Sequence, residues 1–503
     1  MTVDIIHKLG ANSAIYAATN LLQKGTAFLL MPLYTLFLDP TAYGVLAIVT
    51  AVNGLLSIAF TLGLTGAVTR FYVEYQEDPQ RLAEFWGTIL GFVMLLSTAV
   101  GGVLFMIGET LLRPLTGAVP FWPYVALGIA TTFFQPFFAT FLAVLQTRNQ
   151  AARYALVSLA HFALTTLLTI ALVVLLGWGV VGALGATLLA AAVFFVVSLR
   201  LLRADIKLCL RWVYLRRALS YSLPQVPHSL ASQASAITDR IVLNNQFGTG
   251  ATGLYAVGAM VGMIVEVAAQ GVNRAYVPLS MAALKRGQPQ DLAQLRALGA
   301  LIVAGFCVVG ATIGCFGREI LWLLATPAFS AAAPVIPVLV FAGVASAIYY
   351  LLVNILFYDF AGVRLLPLGA LSGAALNVVL ALLLVPRFGL MGAAVATLLA
   401  QTLVTLLIAC VGRRYDPVAW DYGRYALAFV ASLCVTLGLA GLEGGQPTTT
   451  AALKLVGVAA LGALLGALFW SRPLILAEAA WRLLARRPAD AAALFAAPHR
   501  TAP

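Results

Sequence analysis

The chain has 503 residues, of which 62% are hydrophobic and only 10% are charged. Soluble globular chains are about 45–50% apolar and about 25% charged, so this composition excludes an ordinary soluble enzyme and a disordered protein. The net charge of +12 would suggest nucleic-acid binding in a soluble chain, but here it indicates basic loops beside a membrane. We therefore expect an all-α polytopic membrane protein with no nucleic-acid partner.

Hydropathy divides the chain into about fourteen apolar segments, each near the roughly 20 residues that a helix needs to cross a bilayer. The expected spans, in chain order, are 12–38, 41–65, 85–108, 122–146, 155–176, 179–199, 221–247, 251–279, 296–317, 333–358, 364–385, 389–410, 423–442 and 451–470.

Positive charge is distributed unequally between the two sets of loops. The links that follow odd-numbered spans carry four cations, namely Arg113, Arg318, Arg387 and Lys454. Lys24 and Arg240 lie within spans, and the rest of the 30 lysines and arginines fall on the other side or at its edge. Because cytoplasmic loops are enriched in lysine and arginine, we expect both termini in the cytoplasm of a bacterial cell, with the chain in its inner membrane.

The spans group into five regions. We expect an N-lobe over 1–199, a cytoplasmic linker over 200–220, a C-lobe over 221–410, two further spans over 411–471 and a cytoplasmic tail over 472–503. In the linker, Arg200, Arg203, Lys207 and Arg211 recur every three or four residues. This spacing predicts a basic amphipathic helix on the inner membrane surface.

An internal repeat supports the two lobes. Residues 178–190 read WGVVGALGATLLA and residues 388–400 read FGLMGAAVATLLA, with eight of thirteen positions identical. A weaker match joins 66–72 to 271–276. Each copy contains an even number of spans, so both copies run in the same direction. We expect two parallel six-helix repeats around a central cavity, with spans 13 and 14 outside the repeat.

Polar residues recur on single faces of four spans that are equivalent under this repeat. Because polar groups are costly in lipid, such faces line a bundle interior or a hydrated cavity. The residues that we expect to line a glycan-sized cavity are Asn12, Tyr16, Asn20, Asn53, Gln225, His228, Ser232, Gln270 and Asn273.

The same spans carry charge. Lys24, Arg70, Arg240 and Arg274 give the predicted cavity a cationic character that suits a phosphate or pyrophosphate group. For Arg70 and Arg274, the alternative is that they extend to the membrane surface. Asp239 and Glu266 are candidates for ion coupling, with a structural ion pair and a neutral buried carboxyl as the respective alternatives.

Other motifs indicate no cofactor and no metal. The five cysteines form no CxxC pair and are expected to be small buried hydrophobic residues instead of a disulfide framework or a metal site. Residues 248–253 match GxGxxG, but they join two membrane helices and are expected to form a tight turn. His161 is alone in its span and is expected to be a satisfied bundle histidine.

The sequence resembles the Wzx-type oligosaccharide flippases of the polysaccharide transporter family. The most specific stretches are SLPQVPHS from residue 222, DR at 239–240, GLY at 253–255 and AYVPL at 275–279, with DPTAYGVLA at 39–47. This family belongs to the same superfamily as the lipid II flippase MurJ and the MATE drug exporters. The position of Lys24 is similar to that of a cavity cation of MurJ.

The resemblance implies a non-enzymatic carrier. It would move an undecaprenyl-pyrophosphate-linked glycan between leaflets by alternating access, with H+ or Na+ as coupling ion and with other polysaccharide-assembly proteins as possible partners. Two other interpretations stay open: a cation-coupled drug antiporter or lipid II flippase, and a membrane glycan polymerase or ligase.

Overall fold

A computed structural model describes residues 19, 28–358, 366–442 and 447–469. These residues form helices and loops, with no β-strand among them. The described part contains 11 helices that are long and apolar enough to cross a membrane. The expected all-α polytopic class is therefore confirmed.

The first half of the described chain contains seven helices that build the N-lobe. They are α1 (Phe28–Phe37), α2 (Pro40–Thr61), α3 (Leu64–Tyr75), α4 (Pro79–Thr116), α5 (Phe121–Thr147), α6 (Ala151–Leu175) and α7 (Gly179–Leu202). The start of α2 follows from local chemistry. Asp39 accepts a hydrogen bond from the Ala42 amide (2.7 Å) and Pro40 occupies the first helical position.

The second half builds the C-lobe and two further helices. Its helices are α8 (Trp212–Ser222), α9 (Val226–Arg286), α10 (Pro289–Cys315), α11 (Gly317–Leu324), α12 (Ile336–Tyr358), α13 (Leu366–Gly412), α14 (Tyr422–Ala440) and α15 (Pro447–Phe469). We assign α9–α13 to the C-lobe. Helices α14 and α15 pack against each other and against α10.

Two long helices each contain two consecutive spans. Helix α9 is interrupted at Gly248 (φ 80°) and α13 at Gly389 (φ 55°), both in conformations that favour glycine. The expected turn at 248–253 is therefore present, and the spans predicted on either side of it end there. The total of fourteen spans stays a prediction, because part of the first one lies outside the described residues.

The glycine at the second interruption has a counterpart in the N-lobe. Gly179, 210 positions earlier, also has a positive φ of 53° and begins α7. In both copies the following alanines are buried: Ala183, Ala186 and Ala190 in α7, and Ala393, Ala396 and Ala400 in α13. The repeated sequence therefore adopts the same local structure twice.

The linker differs from the expected continuous amphipathic helix. Helix α7 ends at Leu202, residues 206–211 have no regular secondary structure, and α8 begins only at Trp212. We call residues 206–211 the strap. Its two basic side chains, although exposed, are not free, because Lys207 and Arg211 both pair with the buried Glu84 of α4, at 3.1 and 3.0 Å.

The two ends of the helices define two faces of the molecule. We call the face that carries residues 76–78, 148–150, 203–211, 287–288 and 413–421 the basic face. The opposite face, which carries 38–39, 117–120, 176–178 and 316–326, is called the far face. Successive spans alternate between them, as the hydropathy pattern predicts.

Candidate translocation cleft

The two lobes meet in close contact near the far face. Gly44 of α2 and Gly253 of α9 lie where these helices cross, and neither position has room for a side chain. A Cβ atom on Gly44 would overlap the carbonyl oxygen of Thr249, and one on Gly253 would overlap that of Pro40. The helices thus approach as closely as their backbones permit, which small residues at membrane helix interfaces make possible.

Polar contacts extend this closure across the far face. The Thr35 hydroxyl donates to the Leu324 carbonyl (3.1 Å), and the Thr326 hydroxyl donates to the Thr35 carbonyl (3.1 Å). In a second region, the Asn244 amide donates to the Thr116 carbonyl (2.7 Å) and Asn245 donates to Pro114 (3.0 Å). The lobes are therefore joined at the far face by helix packing and by hydrogen bonds.

Nearer the basic face, the first half of α9 exposes polar side chains. Gln225, His228 and Ser232 are all exposed and recur at intervals of three and four residues, as the sequence predicted for one helical face. Gln233, next to them, lies against Gly54 of α2. Since exposed polar side chains are costly in lipid, this face indicates a hydrated cleft between the lobes.

The polar stripe on the second half of α9 forms a network with α12. The Gln270 amide donates to the Glu266 carboxylate (3.2 Å) and to the Tyr350 hydroxyl (3.4 Å). The Asn354 amide, which sequence reasoning had not singled out, donates to the side-chain oxygen of Asn273 (2.8 Å). Asn354 lies four residues after Tyr350 on the same face of α12. This spacing of two polar residues was the sequence feature that could have predicted its place in the network.

Asp239 lies inside the C-lobe, with a side chain that is nearly inaccessible (6% exposed). Its Oδ2 accepts hydrogen bonds from the hydroxyls of Tyr255 (2.8 Å) and Thr397 (2.5 Å). Its Oδ1 is buried and has no partner among the described residues. A buried carboxylate with one unsatisfied oxygen favours the uptake of a proton or a cation.

The predicted cations fall into different environments. Arg240 is half-buried and Arg274 is exposed, and neither forms an ion pair with a described residue. Arg70 instead pairs with Glu74 (3.4 Å), which also binds Arg217 (3.2 Å), on the exposed surface of the N-lobe. Of the predicted cations that the structure describes, Arg240 and Arg274 are thus the two without an ion pair to a described residue.

The remaining predicted residues are placed as follows. The Asn53 amide faces the Gly128 and Val49 carbonyls, with nitrogen–oxygen distances of 3.3 and 3.2 Å, and so contributes to packing inside the N-lobe. His161 stacks on Phe138 (4.7 Å between rings) as a bundle histidine. The predictions for Asn12, Tyr16, Asn20 and Lys24 lie outside the described residues.

The arrangement of two helical lobes around a polar cleft is that of known transporters. The chain is similar to the lipid II flippase MurJ in an inward closed conformation, with a TM-score of 0.65 and 12% identity over 95% of this chain and 99% of that one. It is also similar to an inward-facing MATE multidrug transporter of the MOP superfamily, with a TM-score of 0.60 and 16% identity over 78% and 94%. The chain therefore shares the fold of these two proteins.

Sequence comparison gives the family. The profile described as "polysaccharide biosynthesis protein" matches residues 9–283, more than half of the chain, so the chain belongs to this family. A relative is the Lsg locus putative protein 1 of Haemophilus influenzae, which is 26% identical over 291 residues, 56% of this chain and 67% of that one.

Proposed function

We propose that the protein is a flippase that moves a lipid-linked oligosaccharide, an undecaprenyl-pyrophosphate-linked glycan, from the cytoplasmic to the outer leaflet. The family match gives the biosynthetic context, and the fold, which the chain shares with a lipid II flippase and a multidrug transporter, supports a carrier. The observation that carries the proposal is the pair of unpaired arginines, Arg240 and Arg274, on the helix whose exposed polar face borders the cleft.

The chemistry of the cleft suits each part of this substrate. Lys24, Arg240 and Arg274 bind the pyrophosphate, while Arg70, already paired with Glu74, contributes less. The amide and hydroxyl groups of Gln225, His228, Ser232 and Gln270 offer hydrogen bonds to sugar hydroxyls, together with Asn12, Tyr16 and Asn20. The polyprenyl tail stays in the lipid beside the cleft.

The direction of transport follows from the orientation proposed for the chain. The basic face, with both termini, lies in the cytoplasm of a bacterial cell, and the far face lies outside the inner membrane. With the far face closed, the cleft takes the glycan from the cytoplasmic side. The lobes then rock about their interface and release the glycan outside, where further assembly proteins act on it.

We assign ion coupling to Asp239 in preference to Glu266. Asp239 is buried with one oxygen unpartnered, whereas Glu266 is half-buried and bonded to Gln270. Binding of H+ or Na+ at Asp239 removes an uncompensated buried charge. Because Tyr255 lies in the second span of α9 and Thr397 lies in α13, this event links three spans of the C-lobe.

The test is mass spectrometry of lipids from cells that lack the protein and any redundant flippase. Accumulation of a polyprenyl-pyrophosphate glycan is expected, and complementation with the wild-type chain removes it. A Lys24→Ala chain is expected not to complement, whereas Arg153→Gln, an exposed arginine of α6 whose side chain bonds to Gln150, complements fully. An unchanged lipid pool rejects the proposal and favours a cation-coupled drug antiporter, which efflux assays then test.

A further inference from the structure

A second cationic region lies on the basic face, outside the translocation cleft. An open pocket with a volume of about 440 Å³ is lined by Ile355 and Tyr358 at the end of α12 and by residues 413–417 after α13. This volume is within the usual range for a small-molecule site. Two of its lining residues, Arg413 and Arg414, are exposed arginines.

Neither arginine forms an ion pair with its acidic neighbour Asp416 among the described contacts. Asp416 accepts hydrogen bonds from the backbone amides of Val418 (2.9 Å), Ala419 (3.0 Å) and Trp420 (2.9 Å) and from the Tyr422 hydroxyl (3.0 Å). The carboxylate of Asp416 thus accepts four hydrogen bonds, which stabilise the conformation of the loop.

The arginines themselves differ in what they contact. The Arg413 guanidinium lies 4.8 Å from the centre of the Tyr422 ring. Arg414 makes no hydrogen bond, ion pair or ring contact with any described residue. One guanidinium is therefore oriented by an aromatic ring, and the other is free to bind an anion.

The wall of the pocket is fixed before any ligand binds. The Arg296 guanidinium of α10 donates two hydrogen bonds to the Val418 carbonyl, and Trp420 is buried against Gly299 of the same helix. The loop after α13 is thus held by its backbone and by its buried tryptophan. A preformed site loses less entropy on binding than a flexible one.

The position of the pocket indicates the source of the anion. Two candidate spans end at its edge, Pro327–Tyr358 and Leu371–Tyr415, so the pocket lies at the depth of lipid headgroups. Its lining combines guanidinium groups with the apolar Ile355 and the half-exposed ring of Tyr358. Basic pockets between membrane helices are typical binding sites for anionic lipid headgroups.

We propose that this pocket binds the phosphate group of an anionic phospholipid, with Arg414 as the main ligand and Arg413 as the second. The aliphatic and aromatic lining contacts the glycerol and the start of the acyl chains. The site is separate from the translocation cleft and does not depend on the transport function proposed above.

The experiment is a titration of the purified full chain with phosphatidylglycerol, followed by native mass spectrometry. Arg413→Gln/Arg414→Gln is expected to weaken binding about 30-fold, because each arginine at a membrane surface contributes about 1 kcal/mol and 1.4 kcal/mol is a factor of ten. Arg414→Gln alone, which removes no described contact, is expected to weaken it about 5-fold. The matched control Arg153→Gln/Arg216→Gln removes two exposed arginines of the same face and is expected to leave binding within about 2-fold.

Each alternative outcome overturns the proposal. Equal losses in the two double variants would show unspecific attraction to a basic surface. Equal binding of phosphatidylcholine would show that the negative charge is not recognised. Binding of inorganic phosphate as tight as that of the lipid would identify a free anion as ligand, and preferential binding of undecaprenyl pyrophosphate would assign the pocket to the transport substrate.

Discussion

A single buried carboxylate is the most unusual residue of the C-lobe. The Tyr255 and Thr397 hydroxyls donate to the same oxygen of Asp239, and the other oxygen has no described partner. Buried polar groups are nearly always hydrogen-bonded, so an unsatisfied oxygen indicates a functional role. Tyr255 follows Asp239 after the turn at Gly248, and Thr397 is distant in the sequence. For this reason the sequence predicted the carboxylate but not its hydrogen-bond partners.

We expect Asp239→Asn to abolish gradient-dependent transport while the protein stays folded. The asparagine carbonyl oxygen can accept the same two hydrogen bonds, but the amide cannot take up H+ and binds a cation less well. Transport of a fluorescent lipid-linked glycan into proteoliposomes, driven by a proton or a sodium gradient, is the measurement. A variant that keeps the wild-type response to both gradients would contradict the assignment.

Arg70 and Arg274, the two exposed arginines among the predicted cavity cations, are expected to behave differently. Arg274→Gln removes a cation with no described ion pair and is expected to lower the transport rate by about tenfold or more, the effect of losing one charge-assisted hydrogen bond to phosphate. Arg70→Gln removes an arginine already paired with Glu74 and is expected to change the rate less than about 3-fold. Initial rates at saturating substrate distinguish them, and equal losses would be evidence against the distinction.

At the scale of elements, the strap shows that tertiary packing can override the helix that a charge pattern predicts. Basic residues spaced every three or four positions predict a helix, yet Lys207 and Arg211 reach the same carboxylate of Glu84 from a segment that is not helical. The Lys207 amide also donates to the Ala83 carbonyl (3.0 Å). A Cβ atom on Gly87 would overlap the Lys207 carbonyl oxygen, so a residue without a side chain is required there.

Two glycines of α4 give a matched test of the strap. Gly87→Ala is expected to displace the strap and to increase tryptic cleavage at Arg203, Lys207 and Arg211. Gly102→Ala, in the same helix with nothing within 4 Å, is expected to leave cleavage unchanged and to stabilise the helix slightly. Limited proteolysis with mass-spectrometric mapping measures both. Identical digestion patterns of the two variants would contradict the claim that Gly87 holds the strap in place.

The crossing of α2 and α9 has a similar matched pair. Gly253→Ala places a methyl group against the Pro40 carbonyl and is expected to shift the population away from the state closed at the far face. Gly271→Ala, further along α9 with no neighbour within 4 Å, is expected to have no such effect.

The measurement is the labelling rate of a Thr326→Cys probe by a membrane-impermeant maleimide in a cysteine-free background. Since Thr326 bonds to Thr35 in the closed state, faster labelling is expected only with Gly253→Ala. No increase in that variant, or an equal increase with Gly271→Ala, would show that the crossing does not control closure.

At the scale of the whole molecule, an ion pair attaches the last two helices to the C-lobe. Lys454 of α15 is 5% exposed at its side chain and pairs with Glu319 of α11, which is 46% exposed. The pair is asymmetric in burial. Removing the glutamate leaves a buried ammonium group, whereas removing the lysine leaves a carboxylate that water can reach.

We therefore expect Glu319→Gln to destabilise the protein more than Lys454→Met. The first is expected to cost about 1–3 kcal/mol, since it leaves a buried charge without its partner. The second is expected to cost about 1 kcal/mol or less, because the methionine fills the same space and the glutamate stays hydrated. Thermal unfolding in detergent ranks them, and the reverse order would contradict the burial argument.

Much of this architecture follows from the sequence because lipid restricts what a chain can do. Each crossing requires about 20 apolar residues, so hydropathy predicted the bounds of α2, α5 and α7 closely. The internal repeat predicted two equivalent segments, and Gly179 and Gly389 within them both have a positive φ. The strap and the contacts of Asp239 could not be predicted, because Glu84, Gly87 and Thr397 are distant in sequence and their role depends on tertiary packing.

The attachment of the strap also determines where the chain can bend between the lobes. Helix α8 packs on the N-lobe, with the Tyr214 ring 5.6 Å from that of Tyr75 and the Arg217 guanidinium bonded to the Tyr75 hydroxyl (2.8 Å). The N-terminal rigid body thus extends to Ser222, and only the turn Leu223–Gln225 separates it from α9. The hinge is a three-residue joint that contains Pro224 and is followed by Pro227, instead of a long flexible tether. The angle between the lobes is therefore transmitted directly to the start of the helix that carries the exposed polar face.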